Sequence, residues 1–142
     1  HESYLRNNNF FIKKVIRESI EISLKKRTVL EVGNIDIKRD FGFAPKYVEA
    51  MYLMMQQEQP SDYIICSGKS ISLREIIYYV FDKLKINKEL CVVKKEYYRP
   101  TDIEDIYGTN EKAKKELNWD YNFTFFEVLD VLIKEELENY IQ

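Results

Sequence analysis

The 142-residue sequence predicts a small α/β domain, α+β-like in that a few short strands accompany more numerous helices. Two kinds of pattern predict this class. Apolar residues recur at helical spacing in several segments, and short runs rich in β-branched residues stand between them, bounded by Gly, Pro, Ser and Asp. In order, the segments predict helix, strand, helix, strand, helix, strand, helix and helix, within one domain over residues 1–142.

The amino-terminal segment predicts an amphipathic helix over residues 10–25. Isoleucines recur there at helical spacing, at Ile12, Ile16 and Ile20. The asparagines at 7–9 are of a type that begins helices. Residues 29–32 predict a short strand ending at Gly33, and residues 34–43 predict a loop with extended pieces.

The middle of the chain predicts helix, strand and helix. Pro45 suits the first turn of a helix that continues over 46–57, with one apolar face formed by Val48, Met51 and Met55. Residues 63–66 predict a strand. Ser72 and Glu75 have the spacing of a capping box, which opens a helix with the apolar stripe Leu73, Ile76, Ile77, Val80, Phe81 and Leu84.

The last third predicts one strand and two helices. Residues 90–93 predict the strand, 97–107 a long loop, and 110–117 a short helix. A second capping box, Thr124 with Glu127, opens a final helix that continues to about Tyr140.

Composition narrows the functional class. The net charge is only −2, from 22 basic and 24 acidic residues, whereas a general nucleic-acid binder carries a basic excess. No apolar run is long enough to span a bilayer, so no membrane partner and a cytoplasmic location are expected. Cys66 and Cys91 predict buried, reduced thiols, and with His1 as the only histidine no metal site is expected.

Two patterns bear on dinucleotide chemistry. The four glycines do not form the closely spaced turn that holds a dinucleotide on a Rossmann unit, so that unit is absent from this sequence. Tyr79 and Lys83 fit the Tyr-x-x-x-Lys pattern of an acid/base pair. They flank the apolar stripe of a well-capped helix in a chain with 11 tyrosines, which favours a structural role, and no catalytic residue is predicted.

Two arginines in predicted loops are candidate phosphate ligands. Arg39 follows the Gly33 turn, and Arg99 lies in the long loop before the short helix. A planar guanidinium can donate two parallel hydrogen bonds to a phosphate group. From composition alone, the favoured explanation for each is a surface residue or a partner of a nearby carboxylate.

Several segments resemble a known family in order and spacing. His1–Ser3, Arg6 and Phe10–Ile16 resemble the stretch N-H-E-S-P-R-R-G-E-x-F-V-T-R-K-I. Val32–Gly42 resembles L-G-N-L-D-A-K-R-D-W-G, and Tyr47–Gln57 is similar to Y-V-E-A-M-W-L-M-L-Q-Q. Later blocks resemble the same family's T-G-x-x-x-S-V-R-E, F-R-P-T-E and K-A-K-x-x-L-G-W, at Ser67–Glu75, Tyr98–Asp102 and Lys112–Trp119.

These blocks are those of GDP-mannose 4,6-dehydratases, which are extended short-chain dehydrogenases/reductases. The resemblance implies a small carboxy-terminal substrate-binding domain. The amino-terminal Rossmann half, which binds NADP and carries the active-site Thr, Glu, Tyr and Lys, is missing. It also implies a partner, GDP-mannose or a related GDP-sugar, and a homo-oligomer for the full-length enzyme. In the implied reaction, hydride leaves the hexose C4 for NADP, water is eliminated across C5 and C6, and hydride returns to C6.

The resemblance assigns roles by position. His1 and Arg6 correspond to cofactor contacts. Arg39 and Arg99 correspond to arginines that reach the diphosphate, while Asp102 lies near the sugar or nucleoside. Lys14 corresponds to a lysine close to the nucleotide, and for Lys14 a plain surface charge is an equal alternative.

Some positions depart from the family pattern. Tyr4-Leu5 replaces Pro-Arg, Lys46 replaces an Asp, Thr109 replaces another Asp, and the segment at 94–97 is short. These changes are expected around the substrate pocket, which leaves room for a different GDP-sugar.

Two further alternatives remain open from the sequence. One is a nucleotide-sugar epimerase or reductase, and the other is a free-standing binding module without catalysis. Because the chain starts at His1, an upstream segment is expected, and the first helix and the strands are expected to pack against it.

Overall fold

The computed structural model describes residues 1–141 and confirms the α/β class. Its helices and short strands, in chain order, are α1 Phe11–Ser23, β1 Leu30–Val32, β2 Lys38–Asp40, α2 Ala44–Met55, β3 Ser70–Ser72, α3 Leu73–Lys83, β4 Cys91–Val93, β5 Asp105–Ile106, α4 Glu111–Leu117 and α5 Phe125–Ile141.

Two small sheets connect the helices. β1 pairs in parallel with β4, with Leu30 opposite Cys91. In the second sheet β2 is central: it is antiparallel to β3 and parallel to β5. Arg39 therefore lies opposite Ile71 on one side and Ile106 on the other. The predicted loops 34–43 and 97–107 thus each contain a strand that the sequence pattern did not resolve.

The main core is formed by α1, α3 and α5 around β1. Its fully buried side chains include Val15 and Ile20 of α1, Leu30 of β1, Phe81 of α3 and Leu129 of α5. The expected packing of the first helix against an upstream segment stays a prediction. The apolar face of α1 is already covered by α3 and α5, which burial of its isoleucines favours.

Both predicted capping boxes are present. Ser72 Oγ accepts a hydrogen bond from Glu75 N (3.1 Å), and Glu75 Oε2 accepts one from Ser72 N (3.0 Å). Thr124 and Glu127 repeat the arrangement at α5. The asparagine cap predicted for α1 is wrong, because the residue that precedes the helix is Phe10 and it makes no side-chain cap. Asn7 instead accepts from Asn9 N (3.3 Å) in a local turn.

A second, smaller core joins α2 to α4. Tyr47, Ala50, Leu117 and Trp119 are buried together, and the Trp119 indole donates to the carbonyl of Lys46 (2.9 Å). The apolar face predicted for this helix is real but is not the buried one. Val48, Met51 and Met55 are exposed, with Met55 at 80%.

The strand predicted at 63–66 is wrong. The segment has no regular secondary structure, and within residues 1–141 its backbone makes no backbone–backbone hydrogen bond and has no neighbouring strand. Tyr63 and Ile65 lean on the α2–α4 core, whereas Ile64 is 61% exposed. The sequence has strand character here, but a strand requires a pairing partner.

Cys66 is buried and Cys91 half-buried, and each is a free thiol. In the described part of the chain, no helix has the length and apolar character needed to cross a membrane.

Replacing Ser72 with Ala removes the hydroxyl that caps α3. We expect the free energy of unfolding to fall by about 1 kcal/mol, the usual value of such a cap. Urea denaturation followed by circular dichroism measures the change. Ser70→Ala, two residues earlier in β3, is the control and should change stability by less than about half that amount. Equal losses in both variants would contradict the capping assignment.

Candidate functional site

A pocket lies where the β1–β2 connection meets the loop that follows β4. Three of the residues singled out from the sequence line it together: Arg39, Arg99 and Asp102. Its apolar wall comes from α1, the β1–β2 connection, the residue after β2 and α3, through Phe11, Ile35, Ile37, Phe41 and Leu73. The fold thus gathers two guanidinium groups, one carboxylate and an apolar wall from segments about 60 residues apart in the chain.

Arg39 is held in place by the backbone around it. Its position in the central strand β2 is fixed by pairing on both sides. The guanidinium donates from one nitrogen to the carbonyls of Lys38 (2.6 Å) and Ile103 (2.7 Å). An arginine carries five N–H donors and two are used here, so three remain for a ligand.

The loop that carries Arg99 is pressed against the turn after β1. A Cβ on Gly33 would lie 2.6 Å from the carbonyl oxygen of Tyr97, so only glycine fits there. Lys94 N donates to Val32 O (2.8 Å), which extends the β1–β4 pairing by one bond. The Tyr97 hydroxyl donates to Glu31 (3.2 Å) and closes the loop over β1. The side chain of Tyr97 joins the pocket wall beside Asn34.

Asp40 is a structural residue that the sequence did not single out. Its carboxylate accepts from the backbone N–H groups of Ser67 and Gly68, at 2.9 Å each. This bond pair ties the 63–68 segment to β2 next to Arg39. Its position directly after Arg39 in the K-R-D block is the sequence signal that could have found it.

The other predicted site residues lie outside this pocket. The Lys14 ammonium donates to the carbonyl of Glu31 (2.7 Å) in the middle of β1. His1 packs its ring against Tyr47, with ring centroids 5.7 Å apart. Arg6 stacks its guanidinium over Phe10 at 3.5 Å, with its Nε 3.7 Å from the carboxylate of Glu2. Three of the six predicted site residues therefore line the pocket. Of the other three, His1 and Arg6 lie together at the amino terminus, and Lys14 lies apart from both groups.

The amino-terminal group has the polar character that a cofactor contact needs. Glu2 Oε2 and Arg6 Nε are buried, and neither has a hydrogen-bond partner within the described residues. Burial raises the pKa of Glu2. An acceptor and a donor side by side fit an incoming amide or hydroxyl group. These residues fit one edge of a dinucleotide but supply no phosphate-binding turn.

The geometry around Tyr79 supports a structural role. Its hydroxyl donates to Asp130 (2.9 Å), and Lys83 donates to the same carboxylate (3.0 Å). Burial, chiefly, raises the pKa of Tyr79, whereas a catalytic tyrosine needs a lowered one. Tyr79 and Lys83 therefore join α3 to α5. Across the described residues, no group of three or more His, Cys, Asp or Glu side chains could hold a metal ion.

The positions that depart from the family pattern lie outside the lining of this pocket, except for the shortened segment at Tyr97. Lys46 pairs with Glu49 on the surface of α2. Tyr4 contacts α1 and α5 instead.

Solved structures share the fold of this chain. RMD from Pseudomonas aeruginosa, solved with NADPH, superposes with a TM-score of 0.84 at 20% identity, over 94% of this chain and 44% of that one. The dTDP-glucose 4,6-dehydratase of Bacillus anthracis, solved with NAD, gives 0.81 at 15% identity, over 94% and 41%. The structure thus shares its α/β fold with part of each of these proteins.

The sequence comparison identifies a single family, whereas the structural comparison shows only a shared fold. The family profile described as GDP-mannose 4,6 dehydratase matches residues 1–132, and the chain belongs to that family. It is 37% identical to GDP-mannose 4,6 dehydratase 1 of Arabidopsis thaliana, over 97% of this chain and 38% of the relative. It is 35% identical to the Drosophila melanogaster enzyme and 34% to the human one, in each case over 97% of this chain and 40% and 42% of the relative. The chain thus spans about 40% of the length of the curated relatives it matches.

Gly33→Ala should displace the loop that carries Arg99. The added methyl would overlap the carbonyl of Tyr97, so we expect a loss of about 1–3 kcal/mol in the free energy of unfolding. Chemical denaturation measures it, and NMR shifts at 94–102 report the displacement. Lys95→Ala, exposed on the same loop, is the control and should change little. Unchanged stability and unchanged loop signals in Gly33→Ala would show that the close approach is absent.

Proposed function

We propose that this chain is the substrate-binding portion of an NADP-dependent GDP-mannose 4,6-dehydratase, which converts GDP-mannose to GDP-4-keto-6-deoxymannose. One observation carries the proposal beyond family membership: Arg39, Arg99 and Asp102 come from distant segments and line one pocket. Their chemistry fits a nucleoside diphosphate, with guanidinium groups for the phosphates and a carboxylate for a ribose or base N–H or O–H.

The role of the pocket is orientation. Arg39 is fixed by its strand and by the carbonyl of Ile103, so its free N–H groups are held in place before the ligand arrives. Binding energy gathered at the diphosphate places the distant hexose, which lowers the entropic cost of the reaction. NADP, when bound, would accept hydride from C4 of the hexose and return it to C6. His1 and Arg6 would hold one edge of the cofactor through the unpartnered polar atoms beside Glu2.

The remainder of the enzyme would cover the exposed face of this chain. The outward face of α2 carries Val48, Met51, Tyr52 and Met55, and Ile64 lies exposed on the unpaired 63–66 segment. A segment without a partner next to an apolar helix face fits packing against a further sheet. The catalytic residues would belong to that further part, so this chain alone would be inactive. We place the intact enzyme in the cytoplasm as a homo-oligomer.

Two of the departures from the family pattern give no support to a different substrate. Lys46 and Thr109 lie away from the pocket lining, so neither change alters the groups that would contact a sugar nucleotide. The structures of related fold include an epimerase from Burkholderia cenocepacia at 14% identity, but that likeness shows the fold only.

Removing either pocket arginine should weaken GDP-mannose binding. A hydrogen bond to a charged group contributes about 1.5–3 kcal/mol, so Arg39→Ala and Arg99→Ala should each raise the dissociation constant about 10- to 100-fold. Isothermal titration calorimetry measures this on the chain, or on the longer enzyme if the chain alone binds too weakly.

Arg17→Ala is the matched control, because Arg17 pairs with Glu21 on the surface of α1 and faces no pocket. It should bind as wild type. If both pocket variants also bind as wild type, the diphosphate assignment is wrong.

A further inference from the structure

Residues 1–10 form a strap, the segment that precedes α1 and carries His1 and Arg6. Near its start, the strap is hydrogen-bonded to the segment before α2. Glu2 N donates to Gly42 O (2.7 Å), and Ala44 N donates to Glu2 O (2.8 Å). Farther along, Leu5 is 88% exposed, so it adds little burial to hold the strap. The path of the strap between Glu2 and α1 therefore depends on some other contact.

That contact is the ammonium group of Lys13. Lys13 lies on α1 with its side chain only 11% exposed, and it forms an ion pair with Glu136 of α5, whose side chain is 8% exposed. The same ammonium donates to the carbonyl of Tyr4 (3.0 Å) and lies 4.0 Å from the centre of the Tyr4 ring. The amide of Asn139 on α5 donates to the Tyr4 hydroxyl. Two helices thus hold a single strap residue by its carbonyl, its ring and its hydroxyl.

A buried ion pair is a poor source of stability, because removing two charges from water costs about as much as their attraction returns. An apolar pair of similar size would join α1 to α5 equally well. What apolar side chains cannot supply is a directed donor for the Tyr4 carbonyl and a cation for its ring. The Lys13–Glu136 pair is therefore better explained by its contacts with Tyr4 than by a contribution to the stability of the core.

Arg6 lies two residues beyond Tyr4, and its N–H donates to Ser3 O (3.1 Å), so the Ser3–Arg6 turn includes the anchored residue. Its guanidinium is set between the Phe10 ring and the buried carboxylate of Glu2. If the Tyr4 anchor is lost, the turn can move and carry Arg6 away from Glu2.

We infer that Lys13 and Glu136 are positioning residues that act through Tyr4 to fix Arg6 and its neighbour Glu2. The inference rests on the proposed function for the identity of what Arg6 meets, a dinucleotide cofactor. The anchoring itself is a property of this chain alone.

The test uses the double variant Lys13→Met/Glu136→Leu, which replaces the ion pair with apolar side chains of similar size. Hydrogen exchange by NMR is followed at the amides of Arg6 and Ala44, whose hydrogen bonds report the strap. Global stability is measured by denaturation. Lys83→Met/Asp130→Leu is the matched control, because it removes an exposed ion pair that also joins a helix to α5.

The expected result is near wild-type stability with exchange at Arg6 and Ala44 faster by about tenfold or more, as local opening becomes easier. The control should leave both amides at wild-type rates. In the longer enzyme, the double variant should raise the dissociation constant for NADP and leave that for GDP-mannose near wild type.

Wild-type exchange at both amides in the apolar double variant would overturn the inference, since the pair would then only join helices. Faster exchange with an unchanged NADP dissociation constant would leave the anchoring in place and overturn the link between the anchor and a cofactor contact at Arg6. If the wild-type enzyme binds no NADP, the proposed function fails, while the exchange rates still decide the anchoring.

Discussion

The parallel pairing of β2 with β5 is the constraint on which the pocket depends. It returns the chain to the side of Arg39 more than sixty residues later, with Arg39 opposite Ile106. The Arg39 guanidinium then bonds the carbonyl of Ile103, which joins the end of the loop to the strand. At its start, the same loop is held by the close approach of Tyr97 to Gly33. Arg99 and Asp102 lie between these two fixed points, so backbone contacts set the shape of the site.

The helices were predictable because their signals are local. A capping box and an apolar stripe at helical spacing define α3 from eleven consecutive residues and the serine before them. The strands were less predictable because pairing is not local. Lys38–Asp40 carries charged side chains and no strand pattern, yet it is the central strand of a sheet. Residues 63–66 have the pattern and no partner. Strand formation here is decided by neighbours that a sequence window does not contain.

The site residues also divide into those that a local sequence signal identifies and those that depend on contacts between distant segments. Resemblance to family blocks identified Arg39, Arg99 and Asp102, and the fold brings them together. Spacing alone could not do so, since nothing in the sequence shows that the loops meet. The pocket contribution of Tyr97 and the bonds from Asp40 to Ser67 and Gly68 were not foreseen. Tyr79 and Lys83 show the reverse case, in which a catalytic spacing turns out to be two donors on one structural carboxylate.

The most direct test of the central claim is an NMR titration that follows the side-chain Nε–H signals of the arginines. The account predicts that GDP shifts the signals of Arg39 and Arg99 and that guanosine, which lacks phosphate, does not. Arg17 and Arg74, which pair with carboxylates elsewhere, should stay unchanged with both. If GDP leaves Arg39 and Arg99 unmoved and instead shifts signals around Lys69 and Phe126, on a different groove of the surface, the diphosphate pocket has been placed wrongly.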